Sequence, residues 1–354
     1  MKLLHIVGAR PQFIKAAMVM QALSSHANQV LVHTGQHYDS EMSQTFFDQL
    51  DLPSPEYNLG VGSGTHAWQT AAMLEQVEKV LVKETPETCI VYGDTNSTLA
   101  GALAAVKLHI KVAHVEAGLR SFNWQMPEEI NRKLVDHSSK LLFCPTQVAV
   151  GNLKNEGHSL GVHFVGDVMA DALYKYKSLA TEKSQILGEY GLDFGEYLLL
   201  TLHRPQNVDN TEILLKLFAA FGRIKQTIVW PCHPRARKNI KKFNIEGKIP
   251  PNLKIIEPVS YLDMLALESN ASKILTDSGG VQKEAYLLKR PCITLRPETE
   301  WTETVEAGWN LIVNTNIDKI VYAAESFFPK GQPPAYYGSG DAASKIQGIL
   351  IHDH

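Results

Sequence analysis

The chain has 354 residues, of which 44% are hydrophobic and 20% charged, and its formal net charge is −3. A chain of this length exceeds one compact core and predicts two domains. The composition is that of a globular protein, and the balanced charge disfavours a nucleic-acid track or a membrane-binding face, so a small ligand is expected.

Short runs rich in β-branched residues alternate with helical patterns, which indicates parallel α/β sheets. In the first half, strands are predicted at Leu3–Val7, Gln29–His33, Cys89–Tyr92, Lys111–Val115 and Leu141–Cys144, with helices at Gln12–Ser24 and Thr95–Lys107. In the second half, strands are predicted at Tyr197–Leu202, Thr227–Pro231, Leu253–Glu257, Lys273–Thr276, Cys292–Leu295 and Leu311–Val313. A polar helical segment at 166–187 predicts a hinge, and 339–350 predicts a last helix.

Four cysteines, Cys89, Cys144, Cys232 and Cys292, lie far apart in apolar runs. They lack the spacing of zinc ligands, so the pattern predicts buried thiols in a reducing compartment. The amino-terminal apolar stretch is too short for a signal peptide, and no apolar run approaches the about 18 residues that span a bilayer. A cytoplasmic location is therefore expected.

Polar residues follow the carboxyl ends of the predicted strands. In open parallel sheets, ligands bind just beyond these ends. In the first half they are Gly8–Pro11, Thr34–His37, Gly93–Thr95 and Glu116–Arg120, and in the second half His203–Arg204, His233–Pro234 and Asp277–Gly280. Two such domains facing each other would form a cleft lined by these residues.

The motif Asp277-Ser278-Gly279-Gly280 follows a strand and opens a helical pattern. Its glycines allow close approach of a ligand, and amides at a helix start attract phosphate, although an ordinary glycine-rich turn remains an equal alternative. Glu284 can accept hydrogen bonds from ribose hydroxyls, or it can be a solvated helix residue. No GxGxxG follows the first strand, which disfavours a nicotinamide-binding fold.

The first half also carries an acidic group with interleaved arginines: Asp94, Glu116, Glu128 and Glu129, with Arg120 and Arg132. Because adjacent strands would bring Asp94 and Glu116 together, their proton affinities would shift in a way that suits acid and base chemistry. A structural ion-pair network with the arginines is the alternative.

The 14 histidines show no metal-ligand spacing, so no metal site is predicted. His203 and His233 follow predicted strands, where they fit phosphate donors or proton carriers better than metal ligands.

As an ordered set, these motifs closely resemble the non-hydrolysing UDP-N-acetylglucosamine 2-epimerases. The set comprises Gly8-x-Arg10-Pro11, Thr34-Gly35-Gln36-His37, Gly93-Asp94-Thr95, His114-Val115-Glu116-Ala117-Gly118-Leu119-Arg120-Ser121, Pro127-Glu128-Glu129-x-Asn131-Arg132, His203-Arg204, His233-Pro234 and Ser278-Gly279-Gly280-x-Gln282-x-Glu284. Each motif alone is weak evidence, whereas the match in order from residue 3 to about 310 is specific.

The resemblance implies two Rossmann-like domains of the glycosyltransferase-B kind around a central cleft, with the final helix crossing back to the first domain. Residues 1–168 with 339–354 would form the first domain, and residues 169–338 the UDP-binding domain. It also implies a cytoplasmic homodimer that interconverts UDP-N-acetylglucosamine and UDP-N-acetylmannosamine for surface polysaccharide precursors. Anti elimination of UDP to 2-acetamidoglucal and re-addition would need no cofactor and no metal.

The resemblance also implies roles for single residues. The catalytic positions are Asp94, Glu116, Glu128 and His203, and the diphosphate-binding positions are Arg10, Lys15, His233, Ser278 and Gly279. Gly280 and Arg296 complete the expected substrate-binding set, and Glu284 falls where the family binds the ribose.

Two departures from the family pattern bear on regulation and substrate. Tyr38-Asp39-Ser40-Glu41 and Trp68 replace residues of the activator pocket found in bacterial members, so weak or absent activation by UDP-N-acetylglucosamine is expected. Thr299-Glu300-Trp301-Thr302-Glu303 is more similar to the branch acting on UDP-2,3-diacetamido-2,3-dideoxyglucuronate, which stays an alternative substrate. A hydrolysing 2-epimerase and a two-domain glycosyltransferase are further alternatives.

Overall fold

A computed structural model describes residues 1–36 and 52–353 of the chain. The chain divides into two compact units, one formed by Met1–Ala172 with Ala335–His354 and the other by Leu173–Pro334. Each unit is built around one parallel sheet.

The first unit contains seven strands: β1 (Lys2–Val7), β2 (Asn28–His33), β3 (Tyr57–Asn58), β4 (Thr88–Tyr92), β5 (Lys111–Val115), β6 (Leu141–Cys144) and β7 (Val162–Phe164). Its helices up to the unit boundary are α1 (Arg10–Leu23), α2 (His66–Glu84), α3 (Asn96–Lys107), α4 (Pro127–Ser138) and α5 (Gln147–Asn155), and α6 (Val168–Lys183) crosses that boundary.

The strands of this sheet lie in the order β3-β2-β1-β4-β5-β6-β7, and all neighbours are parallel. Buried β-branched side chains on the central strands, such as Ile6, Val91 and Val112, pack with residues of α2 and α3 into one apolar core. Burial on both faces explains why these strands are continuous apolar runs in the sequence. The strand order reverses between β1 and β4, which is the topological switch point where such sheets bind ligands.

The second unit has six strands: β8 (Tyr197–Thr201), β9 (Thr227–Pro231), β10 (Leu253–Ile256), β11 (Lys273–Thr276), β12 (Cys292–Thr294) and β13 (Asn310–Ile312). Its further helices are α7 (Ile186–Tyr190), α8 (Pro205–Val208), α9 (Thr211–Gly222), α10 (Pro234–Lys242), α11 (Tyr261–Asn270), α12 (Gly279–Leu287), α13 (Thr302–Glu306) and α14 (Ile317–Ser326), with a 3₁₀ turn at Glu246–Lys248. The strand order is β10-β9-β8-β11-β12-β13, again parallel, so the switch point lies between β8 and β11.

The last helix, α15 (Ala342–His352), belongs to the first unit and packs on α1. The carboxylate of Asp171, on α6, accepts hydrogen bonds from the backbone N–H groups of Ala342 at 3.2 Å and Ala343 at 2.7 Å. These are donors of the first helical turn, which have no partner within the helix itself. The prediction that the final helix returns to the first domain is confirmed.

The α/β class with two parallel sheets is also confirmed, and each predicted strand is present with its ends shifted by at most one residue. The edge strands β3 and β7 were not predicted because two and three residues are too few to show a periodic pattern. All four cysteines are buried and unbonded, as expected. Within the described ranges, no helix combines the length and the apolar content needed to cross a membrane.

Candidate functional site

In the first unit, Gln12 connects the two loops at the switch point. Its side-chain oxygen accepts hydrogen bonds from the N–H groups of Gly8 at 2.7 Å and Ala9 at 3.0 Å, and its amide nitrogen donates to the carbonyl of Tyr92 at 2.6 Å. A Cβ atom at Gly8 would lie 2.1 Å from the hydroxyl oxygen of Ser97, so only glycine fits there. The loops after β1 and β4 are therefore held against each other by one buried side chain.

Lys15 and Glu116 form a buried ion pair beside these loops. Lys15 lies on α1, Glu116 directly follows β5, and the two side chains are only 7% and 10% exposed. Glu116 has a backbone φ of 77°, a conformation that non-glycine residues rarely adopt. Such strain persists only where the surrounding structure enforces it, and it is concentrated at functional sites.

The loop that carries Glu116 is fixed by the carboxylate of Asp136, which lies on α4 and is fully buried. One oxygen of Asp136 is 2.7 Å from Nδ1 of His114, and the other accepts from the N–H of Gly118 at 3.1 Å and pairs with Arg120 at 2.8 Å. Burial alone would raise the pKa of Asp136, but His114 and Arg120 outweigh it and hold the pKa below its usual range. This network immobilises the segment on both sides of Glu116.

The remaining carboxylates of the acidic group differ in burial and in their contact with Arg132. It pairs with Asp94 at 2.7 Å and with Glu129 at 3.0 Å. Glu129 is fully buried and accepts hydrogen bonds from the N–H groups of Ser121 and Phe122. It therefore belongs to a structural ion-pair network, the alternative to an acid or base role. Asp94 keeps 30% of its side chain exposed, and Glu128, half-buried in the first turn of α4, forms no ion pair with a described residue.

In the second unit, Asp277 orients His203 at the switch point between β8 and β11. The buried carboxylate accepts from the N–H groups of His203 and Arg204 and from Asn207, and it lies 3.2 Å from Nδ1 of His203. Burial would raise the pKa of Asp277, but the hydrogen bonds from His203, Asn207 and the Arg204 N–H keep the pKa below its usual range. The His203 ring remains 41% exposed, and its centroid is 6.1 Å from that of His233.

The start of α12 combines a structural and a binding feature. A Cβ atom at Gly279 would lie 2.1 Å from a carboxylate oxygen of Glu300, which in turn pairs with Arg296 at 3.0 Å. A larger residue at Gly279 would therefore displace the Glu300 side chain, whereas the neighbouring Gly280 is exposed. Backbone N–H groups at this helix start can bind an anion.

Glu284, on α12, is only 7% exposed, which contradicts the alternative that it is a solvated helix residue.

The structure thus groups the candidate residues within each unit. Lys15 contacts Glu116 in the first unit, where Arg10 begins α1 as an exposed residue, and His203 lies near His233 in the second. No group of three or more histidine, cysteine or acidic side chains with metal-binding geometry occurs in the described part of the chain.

The structure describes only some of the residues that differ from the family's activator pocket. His37 and Tyr38-Asp39-Ser40-Glu41 lie outside the described residues, and Trp68 is exposed on α2.

The sequence analysis gave no role to three supporting residues: Gln12, Asp136 and Asp277. Asp277 is the first residue of a recognised motif and Gln12 directly follows another, so their position was a usable signal. Asp136 reads as an ordinary polar residue on a helix, and only the tertiary packing of α4 against the Glu116 loop reveals its role.

Two compact units, each with one parallel sheet and polar residues at its switch point, define a protein of the glycosyltransferase-B-like fold class. The family model for UDP-N-acetylglucosamine 2-epimerase matches residues 21–351. The chain belongs to this family, as the sequence predicted, and it is an epimerase.

Individual relatives agree with this placement. The chain is 52% identical, over 99% of both chains, to a UDP-N-acetylglucosamine 2-epimerase homolog of Methanococcus maripaludis. It is 45% identical, also over 99% of both, to the UDP-2,3-diacetamido-2,3-dideoxy-D-glucuronate 2-epimerase of Pseudomonas aeruginosa. A crystal structure of Methanocaldococcus jannaschii UDP-GlcNAc 2-epimerase in complex with UDP-GlcNAc and UDP has a TM-score of 0.92 and 46% identity, covering 99% of this chain and 100% of that one.

Replacing Asp136 with asparagine should lower the free energy of unfolding by about 3 kcal/mol near neutral pH, because Arg120 loses one of its two countercharges, the other being Glu156, and His114 loses its carboxylate partner. The folded-state pKa of Asp136 is depressed, so its stabilising contribution is complete above the unfolded value of about 3.9 and is lost as the pH falls through the folded value. Urea denaturation should show the difference between variant and wild type shrinking below about pH 4.

The matched control is Asp318→Asn, which removes an exposed partner of Arg223 and should change the stability by less than about 0.5 kcal/mol. Equal effects of the two substitutions at neutral pH would contradict the role given to Asp136.

Proposed function

We propose that the protein inverts C-2 of a UDP-linked N-acetylated sugar, interconverting UDP-N-acetylglucosamine and UDP-N-acetylmannosamine. The observation that carries the proposal is the buried Lys15–Glu116 pair, with Glu116 in a strained conformation beside the Gly93–Asp94 turn. The proposal is supported by the 46% identity to the Methanocaldococcus jannaschii enzyme, whose structure contains UDP-GlcNAc and UDP.

The chemistry requires that UDP leaves before C-2 inverts. The C-2 hydrogen is not adjacent to a carbonyl, so a side-chain base cannot remove it directly. When the bond between C-1 and the phosphate oxygen breaks, UDP takes the electron pair and C-1 becomes an oxocarbenium-like centre. The C-2 proton then passes to a base, a C-1=C-2 double bond forms, and 2-acetamidoglucal results. Re-addition of UDP with protonation from the opposite face completes the inversion.

Groups of the second unit are proposed to bind the leaving diphosphate. Hydrogen-bond donors at the carboxyl edge of the sheet are offered by His203, His233 and the N–H groups at Ser278-Gly279-Gly280. Arg296 pairs with Glu300, whose carboxylate lies against Gly279 at this helix start. Positive charge and oriented amides stabilise the negative charge that develops on UDP as the bond breaks. Arg10 and Lys15 of the first unit are proposed to assist, and Lys15 also holds Glu116.

Carboxylates of the first unit are proposed to stabilise the cationic sugar and to move the proton. Removal and return of a proton on opposite faces of C-2 require at least two groups. Asp94 and Glu116 follow adjacent strands of one sheet, and Glu128 lies on the next helix. We assign acid and base roles to these three residues. In the second unit, the catalytic role proposed for His203 depends on Asp277, which orients its ring.

UDP-2,3-diacetamido-2,3-dideoxyglucuronate is the alternative substrate. Two observations favour it: the 45% identity to the Pseudomonas aeruginosa enzyme, and the presence of Trp301 where the common family pattern has arginine. Trp301 is buried, with the ammonium of Lys283 4.3 Å from its ring centroid. The same inversion of C-2 would apply to either sugar.

We further propose a homodimer in the cytoplasm that needs neither an added nicotinamide nor a metal. This part rests on the resemblance in sequence. A monomeric mass in analytical ultracentrifugation, or activity that disappears with a chelator, would contradict it.

Proton NMR of the purified protein with each candidate substrate tests the reaction and its specificity. With UDP-N-acetylglucosamine we expect signals of the manno isomer to appear until the same mixture is reached from either side. Conversion of the diacetamido-uronate alone would transfer the assignment to the alternative. Release of free N-acetylmannosamine with accumulating UDP would instead identify a hydrolysing enzyme, and no reaction without an acceptor would favour a transferase.

Substitutions at Glu116 and Glu284 should affect different kinetic parameters. Glu116→Gln should lower kcat by about 100-fold, because it removes a group that acts as charge and proton move. Glu284→Ala should mainly weaken UDP binding, because a ribose contact is equally strong in ground and transition states. Steady-state kinetics and UDP titrations measure the two effects.

The exposed Glu306 provides a control, since Glu306→Gln should leave both parameters within about twofold. A turnover rate for Glu116→Gln within about threefold of wild type would show that its assignment is wrong.

A further inference from the structure

A second glutamate, Glu268, lies beside Glu284 in the packing of α11 against α12. Glu268 is on α11 and is completely buried, although a carboxylate is among the least favourable groups to remove from water. The proposed reaction assigns no role to it.

Among the described residues, no cation interacts with Glu268, and the guanidinium of Arg290 instead donates to the carbonyl of the neighbouring Ser269. The titratable groups that interact with it are Glu284 on α12, Tyr261 on its own helix, Tyr197 on β8 and Cys292 on β12. None of these groups carries a positive charge. Among the described residues, no N–H or O–H donor reaches either carboxyl oxygen of Glu268, and the group that interacts most strongly with it is the carboxyl group of Glu284.

Two carboxyl groups can form a hydrogen bond only when one of them carries a proton. Burial, together with the negative charge of Glu284, raises the pKa of Glu268 well above its usual range. Glu284 is the more exposed member of the pair, so the proton belongs on Glu268.

We propose that Glu268 is a positioning residue, which stays protonated and donates its O–H to the Glu284 carboxylate, holding that carboxylate ionised and oriented for the ribose of UDP. This proposal rests on the proposed function, in which Glu284 contacts the ribose hydroxyls. A carboxylate has about four lone-pair sites, so it can accept from this donor and from ribose hydroxyls at the same time. Fixing the orientation in advance lowers the ordering cost of binding.

The contribution of the ribose hydroxyls can be isolated with two ligands. Calorimetric titration of the full chain with UDP and with 2′,3′-dideoxy-UDP gives a ratio of dissociation constants that reports the hydroxyl contacts alone. For the wild type we expect the dideoxy ligand to bind at least about tenfold more weakly. Glu268→Gln keeps the size and one donor, so the ratio should stay within about threefold of the wild-type ratio.

Glu268→Met has a similar length but no donor, and it should reduce the ratio at least about fivefold. The affinity for the dideoxy ligand should stay within about twofold in both variants, because it does not depend on Glu284. A purely structural role of Glu268 would weaken both ligands together and leave the ratio unchanged.

Failures of the two proposals are distinguishable. A wild-type ratio near one would contradict the ribose contact of Glu284, and with it this proposal. A large wild-type ratio that survives in Glu268→Met would leave the ribose contact intact and overturn the positioning role. An equal loss in Glu268→Gln and Glu268→Met would overturn it as well.

Thermal unfolding provides a second measurement should Glu268→Met not fold. The folded chain retains a proton that the unfolded chain releases near its pKa of about 4.3, so the stabilisation from this proton is lost as the pH rises toward the folded value. Glutamine has no such proton, and the Tm of Glu268→Gln relative to wild type should increase from about pH 5 to about pH 9. A difference in Tm that does not change with pH would contradict a protonated Glu268.

Discussion

The carboxylate of Asp136 is removed from water and bonded to His114, Gly118 and Arg120, which all belong to the segment around Glu116. A carboxylate in such a position is stable only while these partners stay in place. The strained backbone of Glu116 is enforced from this side, and Lys15 holds its side chain from the other. Helix α4 also carries Glu128 and Arg132, and Arg132 pairs with Asp94. The buried carboxylate of Asp136 therefore fixes the three candidate carboxylates, Asp94, Glu116 and Glu128, relative to one another.

The two units repeat one sheet topology, but the groups at their switch points differ in charge and in hydrogen-bonding character. At the first switch point the proposed functional groups are mainly carboxylates, and at the second they are imidazoles, an arginine and the N–H groups of a helix start. Loss of UDP from a sugar creates positive charge on the sugar and negative charge on the diphosphate, so an enzyme for this reaction needs both kinds of group. In each unit a buried aspartate, Asp136 or Asp277, fixes the residues that would act.

Much of this arrangement could be predicted from the sequence. Buried parallel strands are continuous apolar runs, and the polar residues after them mark the ligand-binding edge, which located Asp94, Glu116, His203 and Ser278. The sequence could not show which carboxylates of the acidic group are structural and which are accessible. Only packing shows that Glu129 bonds to the loop at Ser121 while Asp94 stays accessible. Glu268 did leave a signal, since it lies three residues after Leu265 on a helix with buried apolar residues, but its partner on α12 is visible only in three dimensions.

Isotope incorporation during turnover in heavy water tests the central claim most directly. If C-2 inverts by elimination and re-addition, its proton passes to a protein group that exchanges with solvent, and the product should carry deuterium at C-2 but none at C-3, C-4 or C-5. Proton NMR of UDP-N-acetylmannosamine formed in heavy water would show this as loss of the C-2 signal alone. Retention of the original C-2 proton in the product would contradict the account and point to an oxidation–reduction route.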